Sequence, residues 1–116
     1  ANTLSTKVIH GLEEAMDWLT THDYRGMVIG NEGTNFCVGI NLAEVGKMVQ
    51  MENLNPFNRS HGSIAKLLTQ FQTLVQRIHY FHKPIVAAIQ GRVLGGGCEL
   101  AMACPHVVAE AETYIG

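Results

Sequence analysis

Two hydrophobic patterns alternate along the chain: apolar residues that recur every three or four positions, and short uninterrupted apolar runs. The first pattern gives an α-helix one apolar face, and it predicts helices at 5–21, 42–51 and 63–82. Ser5 opens the first helical pattern and suits the N-cap position. The uninterrupted runs are too short for helices and are typical of buried strands. They occupy 27–29, 36–38, 85–89 and 106–109.

Turn-forming residues separate these elements. Residues 30–33 are rich in glycine and asparagine, and 52–62 combine asparagine, proline and glycine in what we interpret as a loop. Pro84 ends the third helix, because the residue before a proline avoids helical geometry. A short helix is expected at 98–104, before the next proline. Short strands alternating with helices indicate an α/β architecture, and no linker divides the chain into separate domains.

Charge is sparse and scattered along the chain. Charged residues make up 16% of the 116 positions, and the formal net charge is −2. The Lys and Arg residues stand singly, whereas binding to nucleic acid or a membrane surface requires a basic stripe. No apolar stretch approaches the length of a membrane span. The hydrophobic fraction of 47% predicts a folded domain. The scattered charges and the lack of a long apolar stretch predict neither a nucleic-acid nor a membrane partner.

The cysteines and histidines give little support to a metal centre. Cys37, Cys98 and Cys104 form no C-x-x-C pair, and their odd number argues against a disulfide framework. We interpret them as small buried hydrophobic residues of a protein in a reducing, cytoplasmic compartment. His79 and His82 lie close together, but no third ligand follows at a recognisable spacing, so no metal is expected.

Two glycine-containing turns carry the strongest functional signal. One is 36–42, which reads FCVGINL, and the other is 91–100, which reads GRVLGGGCEL. In the second turn a strand leads into Gly95, Gly96 and Gly97, and a helix follows. Glycines let the backbone pass close to a ligand, and the N–H groups that begin a helix favour negative charge there. Such a turn can bind a phosphate or a developing oxyanion.

The residues after the glycines bear on which of these ligands is bound. No lysine follows Gly97, so the turn is not a phosphate loop, and the glycine spacing does not match a dinucleotide fingerprint. Glu99 stands in the first helical turn, where a carboxylate would repel a phosphate but would suit a general base beside an oxyanion pocket. Alternatively, the glycines only allow close strand–helix packing, and Glu99 complements the helix dipole. The residues alone leave both interpretations open.

Three separate motifs resemble those of the enoyl-CoA hydratase/isomerase (crotonase) family. Residues 83–91 with 95–101 resemble its main signature, 36–42 resembles its F-x-A-G-x-D-L marker, and 2–5 resembles its N-x-L-S start. The motifs follow one another in the family's order, and the resemblance extends over 1–116. It implies a crotonase (ClpP-like) α/β fold built of repeated strand–strand–helix turns, with the chain as a partial domain that is incomplete at both ends.

The resemblance also implies roles for individual residues. The N–H groups of Ile40 and Gly96 would form an oxyanion hole for an acyl-CoA thioester. Glu99 would be the catalytic carboxylate, which activates water or holds the α-proton. Coenzyme A enters as part of the substrate, so no separate cofactor is expected. The residues that would line the substrate site are Ala1, Val38, Gly39, Asn41, Gly95 and Gly97.

The activity that the resemblance implies is hydration of 2-enoyl-CoA in fatty-acid β-oxidation, and other interpretations stay open. An enoyl-CoA isomerase or another enolate-stabilising crotonase would share the oxyanion hole, whereas a non-catalytic acyl-CoA-binding segment would bind without turnover. Asn41 stands where the family usually has Asp, and the second glutamate of hydratases would lie beyond Gly116. Crotonase segments also occur in multifunctional 3-hydroxyacyl-CoA dehydrogenases, and family members usually form trimers or hexamers. We therefore expect a homo-oligomer or a larger multifunctional chain.

Overall fold

The structure is a computed structural model that describes residues 2–54 and 62–116. The described residues form both helices and strands. The helices are α1 (Thr6–Thr21), α2 (Leu42–Leu54), α3 (Gly62–His79) and α4 (Gly96–Ala103). The strands are β1 (Met27–Ile29), β2 (Ile85–Ile89), β3 (Arg92–Val93), β4 (His106–Ala109) and β5 (Tyr114–Ile115).

The strands form two parallel sheets, and the chain contributes strands to the first and the second sheet in turn. In the first sheet β2 lies between β1 and β4, with Val86 opposite Val28 on one side and His106 on the other. In the second sheet β3 pairs with β5, and Val93 of β3 also forms an isolated parallel bridge with Cys37. Each strand of the first sheet is therefore followed by a strand or bridge of the second. A helix comes next in the first two repeats, which gives the strand–strand–helix arrangement.

The hydrophobic core lies between helices α1 and α3 and the first sheet. Met16 of α1, Leu74 of α3 and Ile85 and Ala87 of β2 belong to one buried cluster. Alternate residues of β2 are buried, as expected for a strand with one fully covered face. Because α3 packs against α1, α2 and α4, it fixes the position of α4 relative to the rest of the fold.

The first two predicted helices form, and the second is longer than predicted. α1 begins directly after Ser5, whose Oγ accepts a hydrogen bond from the Val8 N–H at 3.2 Å, which confirms the N-cap prediction. α2 continues to Leu54, so the predicted loop at 52–62 is wrong for the residues that α2 includes. Asparagine is only mildly unfavourable in a helix, and an established helix therefore continues through it. The loop prediction is also wrong at Gly62, which begins α3, and residues 55–61 lie outside the described residues.

The ends of α3 and α4 differ from the sequence-based boundaries. α3 ends at His79 rather than at 82, and the Lys83 Nζ beyond it donates to the Leu19 carbonyl at the end of α1, at 2.7 Å. α4 begins at Gly96 rather than at 98, within the glycine run. β3 and β5 were not predicted, because strands of 2 residues each have no readable periodicity.

Candidate active site

The first glycine turn pairs with the segment before α1. Leu4 and Ile40 form an isolated parallel bridge, here called the Leu4 bridge. The Leu4 N–H donates to the Gly39 carbonyl at 2.7 Å, and the Asn41 N–H donates to the Leu4 carbonyl at 3.0 Å. In a parallel ladder, the residue opposite such a doubly bonded residue directs its own N–H and C=O the other way. The Ile40 N–H therefore points away from Leu4, and no acceptor for it occurs in the part of the chain that the structure describes.

The second glycine turn leaves a backbone donor at the start of α4. Gly95 precedes the helix with φ of +53°, a conformation that favours glycine. The first N–H groups of a helix have no acceptor within the helix. The Gly97 N–H donates instead to the Leu94 carbonyl at 2.9 Å, and the Glu99 N–H donates to the Gly95 carbonyl at 3.1 Å. For the Gly96 N–H, the described residues offer no acceptor.

Glycine contacts bring the two turns together. Gly39 is buried, and its φ of +105° lies in a region that residues with side chains rarely adopt. A Cβ on Gly39 would lie 3.7 Å from the Gly96 nitrogen. Gly97 lies so close to Cys37 that a Cβ there would overlap the Cys37 carbonyl oxygen. The amino end of α4 therefore lies directly against the first glycine turn.

Glu99 lies one helical turn beyond this junction, beside α3. Gly96 and Glu99 share one face of α4, since residues at this spacing are neighbours on a helix. The Glu99 side chain is exposed and lines two adjoining cavities of about 470 and 390 Å³. Val75 and Gln76 of α3 line both cavities, whereas Ile40 and Gly96 line neither. The structure thus brings the two predicted oxyanion donors together and directs the predicted catalytic carboxylate toward α3.

The other predicted substrate-binding residues of the first turn use their polar groups within the protein. The Val38 N–H donates to the Asn2 carbonyl at 2.9 Å. The Asn41 Oδ1 accepts a hydrogen bond from the Glu44 N–H at 3.1 Å, as an N-cap side chain does. Ala1 lies outside the described residues. These bonds fix the shape of the turn, and a contact between these residues and a substrate stays a prediction.

Burial raises the pKa of two of the thiols. Burial raises the pKa of Cys37 above its ordinary value of 9.0, although hydrogen bonds from the backbone of Gly39 and Leu4 oppose this increase. Burial alone raises the pKa of Cys104 to about 11. The thiolate is the nucleophilic form, so neither residue suits covalent catalysis. The interpretation of Cys37 and Cys104 as small buried residues is confirmed, whereas Cys98 is half-buried.

One histidine, His79, lies beside Glu99 at the surface. His79 lines the larger cavity and contacts the ring of Tyr80 edge-on, with 4.7 Å between ring centroids. Among the side chains that the structure describes, no three from His, Cys, Asp or Glu come close enough to hold a metal ion. Over residues 2–54 and 62–116, no helix has the length and apolar character that crossing a membrane requires.

One functional candidate was missed from the sequence. Glu44 binds the start of α1 from the first turn of α2, although the two helices are far apart in sequence. Asn41 and Glu44 stand at the spacing of a capping box, in which a polar N-cap is followed by a glutamate in the first turn. That spacing could have marked the start of α2, but it could not have revealed the contact with α1.

Comparisons with known proteins bear on the family to which this chain belongs. The family model described as enoyl-CoA hydratase/isomerase matches residues 1–116. The chain is 40% identical to the "Probable 3-hydroxyacyl-CoA dehydrogenase" of Bacillus subtilis (strain 168) over 95% of its own length and 12% of that protein. It is 33% identical to the "Probable enoyl-CoA hydratase" of the same strain, over 100% of its own length and 42% of that protein. The chain therefore spans less than half the length of these curated relatives.

A solved structure establishes the fold independently of sequence similarity. The enoyl-CoA hydratase of Bacillus anthracis matches 98% of this chain and 41% of its own length, with a TM-score of 0.81 and 22% sequence identity. At this identity the likeness shows the fold alone, and it confirms the predicted crotonase architecture. Because the family model also matches the chain from end to end, the resemblance of the three motifs is confirmed, and the chain belongs to the enoyl-CoA hydratase/isomerase (crotonase) family.

Proposed function

We propose that this chain contributes the thioester-binding and water-activating part of a 2-enoyl-CoA hydratase. The N–H groups of Ile40 and Gly96 hold the thioester oxygen, and Glu99 is the catalytic carboxylate. The observation that carries the proposal is the contact between the two glycine turns, in which a Cβ on Gly39 would lie 3.7 Å from the Gly96 nitrogen. Each turn contributes one N–H that has no acceptor among the described residues, so both donors are available to a ligand.

Two converging backbone donors suit a substrate whose carbonyl oxygen gains charge during the reaction. When water adds to C3 of an enoyl thioester, the double-bond electrons move toward the carbonyl and produce an enolate oxygen. Fixed donors stabilise that oxygen more than the neutral carbonyl, and loss of one such donor typically costs about 3–4 kcal/mol in the barrier. Because both donors are backbone groups, the isoleucine side chain at position 40 does not prevent this role.

Glu99 supplies the proton acceptor in this proposal. Its exposed carboxylate is on the α4 face that also contains Gly96, so a water bound by Glu99 and a thioester bound by Gly96 can be neighbours. The carboxylate accepts a proton as the water oxygen bonds to C3. The carboxylic acid formed at Glu99 then gives that proton to C2 of the enolate, which completes hydration and restores the carboxylate. A positioned general base of this kind contributes about 100- to 10,000-fold to the rate.

Replacement of Glu99 by Gln tests the assignment in the full-length natural protein. We expect Glu99→Gln to lower crotonyl-CoA hydration by about 100- to 10,000-fold while acyl-CoA binding stays within about two-fold, because only the proton acceptor is lost. Loss of the enoyl thioester absorbance measures hydration. Glu14→Gln, at an exposed carboxylate of α1, is the matched control. Near-wild-type hydration by Glu99→Gln would remove this residue from the mechanism.

The wild-type protein distinguishes the hydratase from its alternatives in the same assay. Migration of the double bond without addition of water would favour an enoyl-CoA isomerase. Binding of acyl-CoA without any turnover would favour a non-catalytic binding segment. Hydration that depends on Glu99 supports the proposal as stated.

A second proposal concerns the protein that contains this domain. The higher of the two identities reported above, 40%, is with a relative named as a 3-hydroxyacyl-CoA dehydrogenase, of which the chain covers 12%. This supports a multifunctional parent in which the hydration product is oxidised, within fatty-acid β-oxidation. Reduction of NAD by the full-length protein in the presence of 3-hydroxybutyryl-CoA would support such a parent. Hydration without that reduction would indicate a monofunctional hydratase, whose subunit number sedimentation would establish.

A further inference from the structure

One carboxylate joins the starts of the two helices that flank the first glycine turn. The Thr6 N–H donates to the two carboxylate oxygens of Glu44, with nitrogen–oxygen distances of 3.3 and 3.4 Å. The Thr6 hydroxyl also donates to Oε1 of Glu44. Thr6 is the first residue of α1, so its N–H has no acceptor within that helix. We call this set of bonds the Glu44–Thr6 link.

The electrostatic setting of the link favours a carboxylate. Glu44 is the acidic residue in the first turn of α2, and it binds the first residue of α1. The amino end of a helix carries partial positive charge, and here two helix ends lie next to one negative group. Glu44 and Thr6 are 38 residues apart in sequence, so the link depends on tertiary structure.

The link lies at the end of the Leu4 bridge, close to the Ile40 amide. The Asn41 N–H donates to the Leu4 carbonyl, and the Asn41 Oδ1 accepts the Glu44 N–H at 3.1 Å. The Glu44 carboxylate in turn accepts a hydrogen bond from the N–H of Thr6, which lies just beyond Leu4 on the facing segment. The two facing segments are therefore bonded through their backbones at the bridge and through side chains beyond it.

We infer that Glu44 is a positioning residue for the Ile40 N–H, an inference that rests on the proposed function. The direction of that N–H is set by how Ile40 faces Leu4, and the Glu44–Thr6 link holds the two segments in that register. Without the carboxylate, the Thr6 donors lose their acceptor and the two helix starts are no longer joined. The Ile40 N–H then varies in direction. The enolate oxygen loses more stabilisation from this change than the bound substrate carbonyl does.

Replacement of Glu44 by Ala in the full-length protein tests this role through the separation of kcat from KM. We expect Glu44→Ala to lower kcat for crotonyl-CoA hydration by about 10-fold, less than the roughly 100-fold that a 1 Å misplacement can cause. KM should change by less than about two-fold, because the ground-state carbonyl depends less on the donor direction. Glu44→Gln keeps an oxygen acceptor for Thr6 and should recover most of the lost kcat.

A spectroscopic measurement separates positioning from loss of folding. Butyryl-CoA labelled at the thioester carbon cannot be hydrated, and its carbonyl resonance moves downfield when the oxygen accepts hydrogen bonds. The downfield shift on binding to wild-type protein should be smaller on Glu44→Ala, at equal occupancy of the site. Thr6→Val removes the hydroxyl donor alone and should lower kcat by less, whereas Thr6→Ser should restore it. Glu14→Ala, at an exposed position of α1, should leave both the carbonyl shift and kcat unchanged.

The outcomes distinguish this inference from the proposed function. A wild-type protein that hydrates crotonyl-CoA, with Glu44→Ala equal to it in kcat and carbonyl shift, overturns the positioning role alone. The same holds if Glu44→Gln is no better than Glu44→Ala, or if kcat falls only in proportion to the loss of folded protein. A wild-type protein that neither hydrates crotonyl-CoA nor shifts the butyryl-CoA carbonyl overturns the hydratase proposal, and the inference with it.

Discussion

Replacement of Gly39 by Ala should destabilise the protein, because the turn between Val38 and Ile40 requires a backbone that alanine disfavours. Gly39 has φ of +105°. A residue held in such a sparsely populated region costs of order 1–3 kcal/mol. The new Cβ would lie 3.4 Å from the Leu94 carbonyl oxygen and 3.7 Å from the Gly96 nitrogen, which are ordinary contact distances. Steric overlap therefore adds little, and the backbone conformation determines the loss.

Replacement of a second glycine by alanine, in helix α1, should change the free energy of unfolding in the opposite direction. Gly11 is exposed within α1, and a Cβ there would meet nothing within 4 Å. Alanine is favoured over glycine in a helix by about 0.5–1 kcal/mol, so Gly11→Ala should stabilise the protein. The same chemical change thus lowers the free energy of unfolding at one site and raises it at the other.

Urea unfolding of the two variants and the wild type measures this difference. The midpoint should fall for Gly39→Ala and rise for Gly11→Ala, with an unchanged dependence on urea concentration. The kcat of Gly39→Ala should also fall, because a turn that relaxes its strain moves the Ile40 and Gly96 donors apart. A Gly39→Ala protein as stable as Gly11→Ala would refute the conclusion that this turn holds a positive φ.

Two further predictions concern the core and the buried thiol. Leu74→Ala should lower the free energy of unfolding by about 2–5 kcal/mol, because Leu74 is 0% exposed. Leu68→Ala on the same helix should cost under about 1 kcal/mol, because Leu68 is 44% exposed. Equal urea midpoints for the two variants would contradict the assigned core. Burial raises the pKa of Cys104 from its ordinary value of 9.0 to about 11, so the unfolded chain loses this proton first as pH rises and is favoured by doing so. The free energy of unfolding should therefore decrease from about pH 9 to pH 11. Cys104→Ala should remove part of that decrease, as measured by urea unfolding at a series of pH values. An identical pH dependence in the variant would be evidence against a buried thiol.

Sequence analysis predicted the helices and the longer strands because their signals are local. The apolar spacing of α1 and α3 and the N-cap at Ser5 depend on neighbouring residues, and the structure retains them. The helix boundaries were less accurate, and tertiary contacts were not predicted. Lys83, for example, binds a carbonyl at the end of α1, which no pattern near α3 reveals.

By itself, the sequence determined which residues can begin a helix, turn at a glycine or supply a carboxylate, since these properties belong to the residue and its neighbours. It thereby indicated both glycine turns and Glu99, and its motifs indicated the family. Only the tertiary structure decided that Gly39 lies beside the Gly96 nitrogen and that Glu44 binds Thr6. It also decided that Glu99 faces α3. Such contacts join residues far apart in the chain, and they depend on strand register and helix packing, which the whole core fixes cooperatively.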